Sequence, residues 1–114
     1  MLNEVILQGR LTADPEYRKL DSGLSYCSFT LAVERNGKKE EGKQDTDFVP
    51  CFSWKNTADF VSKYFHKGDM VVVSGRFQSR NYKGKDGNNH TAYEICVIEA
   101  NFCGGKKKED QIAF

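Results

Sequence analysis

Hydrophobic and polar residues alternate in short runs along this chain, a spacing typical of half-buried β-strands. The clearest run extends from Tyr26 to Val33, where Cys27, Phe29, Leu31 and Val33 alternate with Ser28, Thr30 and Ala32. Similar runs extend from Asn3 to Leu11, Glu16 to Leu20, Thr46 to Trp54, Met70 to Tyr82 and His90 to Phe102. Pro50 lacks an N–H group, which predicts a bulge or an unpaired side in the Thr46 run. The pattern therefore predicts a chain built mainly of strands.

One segment alone has helical spacing, with Ala58, Val61 and Phe65 on one face. Asn56 is the predicted N-cap, Asp59 is expected in the first turn, and Gly68 ends the helix. The first two strand-like runs can form one bent unit. The order is then three strands, a helix and two strands, which predicts an all-β protein with one short helix, a five-stranded OB-fold barrel. The domain is expected to span residues 1–103, followed by a short flexible tail over 104–114.

Charge is balanced over the whole chain but not along it. The 114 residues carry 17 Lys and Arg against 16 Asp and Glu, a net charge of +1. A basic footprint for a polyanion must therefore be local. The stretch from Arg76 to Lys85 supplies one, because it holds four cations and no acid.

The motifs of common enzymes and metal sites are missing from the sequence. No P-loop, Gly-rich dinucleotide turn, nucleophile elbow or H-E-x-x-H motif occurs, and no C-x-x-C pair has zinc spacing. We therefore expect a protein that is not an enzyme and has no metal site. The four cysteines are interpreted as reduced, with those inside strand-like runs buried. Without a signal peptide or a long apolar run, the chain is expected to be cytoplasmic, with no membrane partner.

The basic stretch also carries an aromatic ring. Strand alternation places Arg76, Gln78, Arg80 and Tyr82 on one face, with Lys83 and Lys85 just beyond. If Val49, Cys51, Val71, Val73 and Phe77 point into the core, then Phe48, Phe52, Trp54, Arg76, Arg80 and Tyr82 point outward. Rings and cations together suit single-stranded nucleic acid, since bases stack on the rings and cations bind the phosphates. Arg10, Arg35 and Lys55, near the ends of strand-like runs, are further candidate phosphate contacts. The alternatives are an ordinary solvated face, a second hydrophobic cluster or an oligomer interface.

Several blocks of the sequence resemble the bacterial and phage type of single-stranded DNA-binding protein. They are the opening from Met1 to Arg18 with its G-R-L-T-x-D-P-E pattern, Phe29–Val33, Thr46–Trp54, Lys67-Gly68 and Gly75–Tyr82. The resemblance covers residues 1 to about 102. It implies an OB-fold that needs no cofactor, assembles as a homotetramer, with a dimer as the alternative, and binds single-stranded DNA during replication, recombination and repair. It also places the stacking rings at Phe48, Trp54 and Tyr82.

The chain departs from that family pattern at two places. Asn36 and Gly37 occupy the position where the family has a fourth ring, so a smaller DNA footprint is expected. The tail is short, but Asp110, Ile112 and Phe114 keep an acid-then-apolar tip. The resemblance implies that this tip docks replication or repair proteins. Such a short chain would fit a phage or mobile-element copy, acting in the host cytoplasm.

Two other functions remain open from the sequence. An OB-fold adaptor of the replication machinery would bind partner proteins and bind DNA weakly. A binder of single-stranded RNA would use the same rings and cations, because only contacts to the 2′-hydroxyl separate the two nucleic acids.

Overall fold

The computed structural model describes residues 1–36 and 45–104, which form six strands and one helix. The elements are β1 (Val5–Leu11), β2 (Glu16–Lys19), β3 (Ser25–Glu34), β4 (Thr46–Trp54), α1 (Lys55–Tyr64), β5 (Met70–Lys83) and β6 (Asn89–Phe102). The order of elements is the predicted one. The first strand begins at Val5 instead of Asn3, whose side chain instead hydrogen-bonds the backbone of Phe77.

The strands form one sheet that closes on itself. Its order is β1-β5-β6-β4-β3-β2, and an additional antiparallel pairing joins β1 to β3. Among the described strands, the one parallel contact joins β4 to β6, and the other pairings are antiparallel. Five strands therefore complete a ring, and closure removes most of the exposed sheet edge.

Strands β1 and β2 act as one bent unit, as predicted. Residues Arg10 and Leu11 of β1 pair with the second half of β3, and β2 pairs with its first half. Gly9 allows β1 to cross from β5 to β3, because a Cβ there would lie 2.6 Å from the carbonyl oxygen of Ala32.

The core fills the ring with the inward faces of the strands and the buried side of α1. Its members include Leu11, Cys27, Phe29, Leu31, Cys51, Ala58, Val61, Phe65, Val71, Val73, Ile95 and Val97. Burial raises the pKa of Cys27 to about 11 and that of Cys51 to about 12, so both are thiols at neutral pH. The interpretation of the strand cysteines as buried and reduced is confirmed for Cys27, Cys51 and Cys96.

The helix starts differently from the prediction. It begins at Lys55 with Trp54 at the N-cap position, and the Trp54 side chain makes no capping hydrogen bond. Asn56 is therefore not the cap, and Asp59 lies beyond the first turn. The chain instead turns at Lys55, whose φ of 56° lies in the left-handed region. In the described part of the chain, no helix combines the length and apolarity needed to cross a membrane.

Two predictions of side-chain exposure are wrong. Phe77 was expected in the core but is 47% exposed, because the β5–β6 hairpin extends beyond the ring and leaves it stacked on Tyr93. Phe52 was expected outward but is 8% exposed, because the neighbouring rings of Tyr26 and Trp54 cover it. Of the two outcomes expected at Pro50, a bulge or an unpaired side, the structure shows the unpaired side. Pairing of β4 with β6 begins at Cys51, so Pro50 has no partner on that side.

Candidate nucleic-acid interface

The outer face of β4 carries two exposed rings. Phe48 is 62% exposed and Trp54 is 37% exposed. Because they are six residues apart on one strand, their Cα atoms are separated by about 20 Å. Each ring lies beside a different cavity, so the face has two separate places for a base.

The cavity at Trp54 has a volume of about 330 Å³. It lies between β4 and the β5–β6 hairpin and is lined by Tyr26, Phe52, Trp54, Arg76, Gln78, Arg80, Glu94 and Cys96. Tyr26 is the cross-strand partner of Trp54, and their ring centroids are 4.7 Å apart. Two guanidinium groups thus line the same cavity as a wall of aromatic rings.

The two arginines of this cavity differ in their partners. Arg80 Nε donates to Glu94 Oε2 at 3.1 Å, and this hydrogen bond raises the pKa of Arg80. Within residues 1–36 and 45–104, Arg76 has only a long contact of 3.9 Å from its guanidinium to Cys96 Sγ. Arg76 is therefore free to bind a phosphate. Arg80 must either release Glu94 first or bind the phosphate while it keeps its hydrogen bond to Glu94.

Tyr82 extends the same face along the hairpin. It is 45% exposed, with the Arg80 guanidinium 5.4 Å from its ring centroid and the His90 ring stacked at 5.5 Å. Lys83 and Lys85 are exposed at the far end of the hairpin. The predicted basic and aromatic face therefore runs from the Trp54 cavity to the hairpin tip.

The cavity at Phe48 is larger, about 960 Å³. Arg10 is in its wall and donates to the carbonyl oxygen of Gly68 at 3.0 Å. Asn36 also lines it, at the position where the family resemblance expects a ring. This half of the face has one aromatic ring and more room than the Trp54 half.

Arg35 lies next to this second cavity but is held by an acid. Its Nε and a terminal nitrogen donate to the two carboxylate oxygens of Asp47, at 3.1 and 2.9 Å. The same contact lowers the pKa of Asp47. Both side chains are well exposed, so a phosphate can still reach Arg35 by displacing Asp47.

Lys55 follows Trp54 directly and is exposed. It is the one non-glycine residue with positive φ in the described ranges 1–36 and 45–104. Such a conformation is costly for a residue with a Cβ and is common at functional sites. At this position it turns the chain from β4 into α1 immediately after Trp54.

Three groups of this site were missed by sequence reasoning. They are Tyr26, Glu94 and Arg18, whose guanidinium lies 5.4 Å from the Tyr26 ring centroid. Alternation on β3 could have placed Tyr26 on the outer face. Its contact with Trp54 depends on the register of two strands, which one sequence does not reveal. The predicted docking tip, Asp110, Ile112 and Phe114, lies outside the described residues.

Known proteins resemble this chain over nearly its whole length. A protein-family model described as the single-strand binding protein family matches residues 2–103. "Single-stranded DNA-binding protein 3" of Listeria innocua is 41% identical over 107 residues, covering 94% of this chain and 67% of that protein. "Single-stranded DNA-binding protein 1" of Staphylococcus aureus is 41% identical over 109 residues, covering 96% of this chain and 65% of that protein. "Single-stranded DNA-binding protein" of Bacillus cereus is 40% identical over 102 residues, covering 90% and 60%.

This chain thus spans about two thirds of the length of these relatives. The family has the OB-fold, and the closed ring of five strands with one short helix agrees with it. The predicted fold class and the resemblance drawn from the sequence blocks are therefore confirmed. The chain belongs to the single-strand binding protein family.

Proposed function

We propose that this protein binds single-stranded DNA without sequence preference, by stacking bases on aromatic rings and binding phosphates with Lys and Arg. The observation that carries the proposal is the cavity where Trp54 and Tyr26 face Arg76 and Arg80. Its rings offer flat apolar surfaces and its guanidiniums offer charge. The names of the relatives support the same ligand.

The energies of these contacts are sufficient for useful affinity. A stacked base contributes about 1–3 kcal/mol with little regard to its identity. Phosphate contacts add a term that weakens with salt. Phe48, Trp54 and Tyr82 supply stacking surfaces, and Arg76, Lys83 and Lys85 supply charge. Binding should tolerate any DNA sequence, because none of these contacts requires a particular base edge.

The test uses Trp54, the only tryptophan in the chain. Its fluorescence should be quenched when oligo(dT) is added and should recover in high salt. Trp54→Ala should weaken binding in an anisotropy assay. Tyr64→Ala, which removes a ring 47% exposed on α1, should not. Absence of quenching together with unchanged binding by Trp54→Ala would contradict the proposal.

Two comparisons distinguish this function from the two that the sequence left open. Competition between matched DNA and RNA oligomers reports the preferred sugar, and we expect DNA to compete better. A replication adaptor would bind DNA weakly but retain a partner protein after nuclease treatment. We propose binding, not catalysis, as the activity, in the protection and organisation of DNA during replication, recombination and repair. We expect a cytoplasmic location, as for DNA-binding proteins of bacteria.

We also propose that the chain assembles with itself as a homotetramer. Strand β1 pairs with β5 along Val5–Arg10 but with β3 only at Arg10 and Leu11. Within the described ranges, the other edge from Val5 to Gly9 is thus open, and Ile6 beside it is 66% exposed. Open edges pair readily with other strands, and apolar exposure favours association. Light scattering should give four chains per particle, and a dimer or monomer would contradict it.

The C-terminal residues Asp110, Ile112 and Phe114 are proposed to dock replication or repair proteins. The proposal is supported by their sequence pattern, an acid followed by apolar side chains. Deleting residues 110–114 should abolish capture of such a partner while leaving oligo(dT) binding intact. Equal capture by the truncated and full chains would contradict docking at this tip.

A further inference from the structure

Three side chains form a row across neighbouring strands at the edge of the Trp54 cavity. Trp54 on β4 is the register partner of Tyr26 on β3, and Tyr26 is the register partner of Arg18 on β2. The rings of Tyr26 and Trp54 are 4.7 Å apart, and the Arg18 guanidinium carbon lies 5.4 Å from the Tyr26 centroid. The Arg18 guanidinium therefore borders the aromatic wall of the cavity on the side away from the hairpin.

Arg18 differs from Arg35 and Arg80 in its partners. Arg80 and Arg35 are bound to Glu94 and Asp47, respectively. Among residues 1–36 and 45–104, Arg18 contacts the Tyr26 ring and forms no ion pair with a carboxylate. Its side chain lies on an exposed strand, so the guanidinium can bind a phosphate without breaking an existing ion pair.

Tyr26 lies between two positive groups. Burial and the charge of Glu94 raise the pKa of its hydroxyl, and the charges of Arg18 and Arg80 act in the opposite direction. The cavity beside the ring, about 330 Å³, is at the small end of ligand pockets and suits one base better than a length of strand. A nucleotide that enters it has a ring wall beside its base and a guanidinium on either side for its phosphates.

We propose that Tyr26 and Arg18 form an additional nucleotide-binding site on β3 and β2. Tyr26 and Trp54 together form the surface that packs against one base, and Arg18 binds the adjoining phosphate. The bound strand then crosses from the hairpin, past Trp54, onto β2. This inference rests on the proposed binding of single-stranded DNA and adds a site that the predicted rings and cations do not include.

The first test compares Arg18→Gln with Lys19→Gln, which removes the same charge one residue along β2. Lys19 lies on the other side of the strand, where its charge acts on Asp59 of α1. Each phosphate contact contributes about −0.7 to the slope of log K against log salt for single strands. Arg18→Gln should therefore make the slope shallower by about 0.7, and Lys19→Gln should leave it unchanged. Equal slopes for the two variants would overturn the role of Arg18.

The second test compares Tyr26→Leu with Tyr26→Phe, and thermal unfolding of both variants shows whether the fold is kept. Loss of one stacked base should weaken oligo(dT) binding roughly 5- to 150-fold in Tyr26→Leu. Tyr26→Phe keeps the ring and should bind like the wild type. If wild-type Trp54 is not quenched by DNA and Trp54→Ala binds unchanged, the proposed function itself fails. If the wild type binds and the folded Tyr26→Leu and Arg18→Gln variants bind equally well, only the additional site is overturned.

Discussion

Glu94 places a negative charge inside a cavity that we propose for a polyanion. Its side chain is only 16% exposed, and it accepts the hydrogen bond from Arg80 Nε at 3.1 Å. A phosphate that binds Arg80 must compete with this carboxylate. We therefore expect Glu94→Gln to bind single-stranded DNA more tightly than the wild type does.

The size of the effect follows from the exposure of the pair. The Arg80 side chain is 59% exposed, so solvent screens the ion pair, and such pairs contribute about 0.2–1 kcal/mol. Removing the competition should tighten binding by about 1.5- to 5-fold at low salt, since 1.4 kcal/mol corresponds to a factor of about ten. If Arg80 then gains a full phosphate contact, the salt slope should become steeper by about 0.7.

The assay is an anisotropy titration of labelled oligo(dT) at several salt concentrations. Glu99→Gln is the matched control, because it removes the same charge from the same strand outside the cavity wall. Tighter binding in both variants would indicate a general charge effect. Weaker binding in Glu94→Gln would refute the reasoning, because Glu94 would then be holding Arg80 in the position that binds phosphate.

Three further predictions concern the hairpin, the close approach of Gly75 to β6, and the helix. Tyr82→Ala should weaken oligo(dT) binding by about 1–3 kcal/mol, whereas Tyr82→Phe should bind like the wild type. Equal affinity of Tyr82→Ala and the wild type would indicate that this face is an ordinary solvated one. Gly75→Ala should lower the free energy of unfolding in urea by about 1–3 kcal/mol or more, because its Cβ would lie 2.0 Å from the carbonyl oxygen of Cys96; an unchanged midpoint would contradict this. The hydrogen bond from Tyr17 lowers the pKa of Asp59 below its ordinary 3.8, so the ionised carboxylate stabilises the fold above that pH. The stability difference between wild type and Asp59→Asn should therefore shrink as pH falls below 3.8, and a constant difference would contradict it.

The order of elements was predictable because it depends on local patterns. Alternation on β3 and the run of apolar residues in α1 are visible in the sequence alone. Alternation also gave the correct face for Phe77, on the same side of β5 as Val71 and Val73. Alternation could not predict that Phe77 is exposed, because its exposure depends on where the β5–β6 hairpin extends beyond the ring of strands. Burial of Phe52 was missed for a related reason, because its cover comes from Tyr26 on another strand.

The helix start shows a different limit of sequence reasoning. Asn56 is a favourable N-cap residue, and the pattern gave no reason to reject it. The structure instead turns at Lys55 in a left-handed conformation, for which Lys is an unusual choice. This turn is imposed by the path from β4 to α1, and no local signal in the sequence indicates it.

Pairing of charges explains how a nearly neutral chain can present a face for DNA. Asp47 and Glu94 pair with Arg35 and Arg80, so these two pairs add nothing to the net charge. Each arginine can still bind a phosphate when its acid is displaced. In the described ranges, five cations near the face have neither an ion pair with a carboxylate nor a hydrogen bond to a carbonyl: Arg18, Lys55, Arg76, Lys83 and Lys85. At about −0.7 for each phosphate contact, they give a salt slope of about −3.5 per chain. The slope depends on these unpaired cations and not on the net charge of +1, so neutrality of the whole chain is no argument against DNA binding.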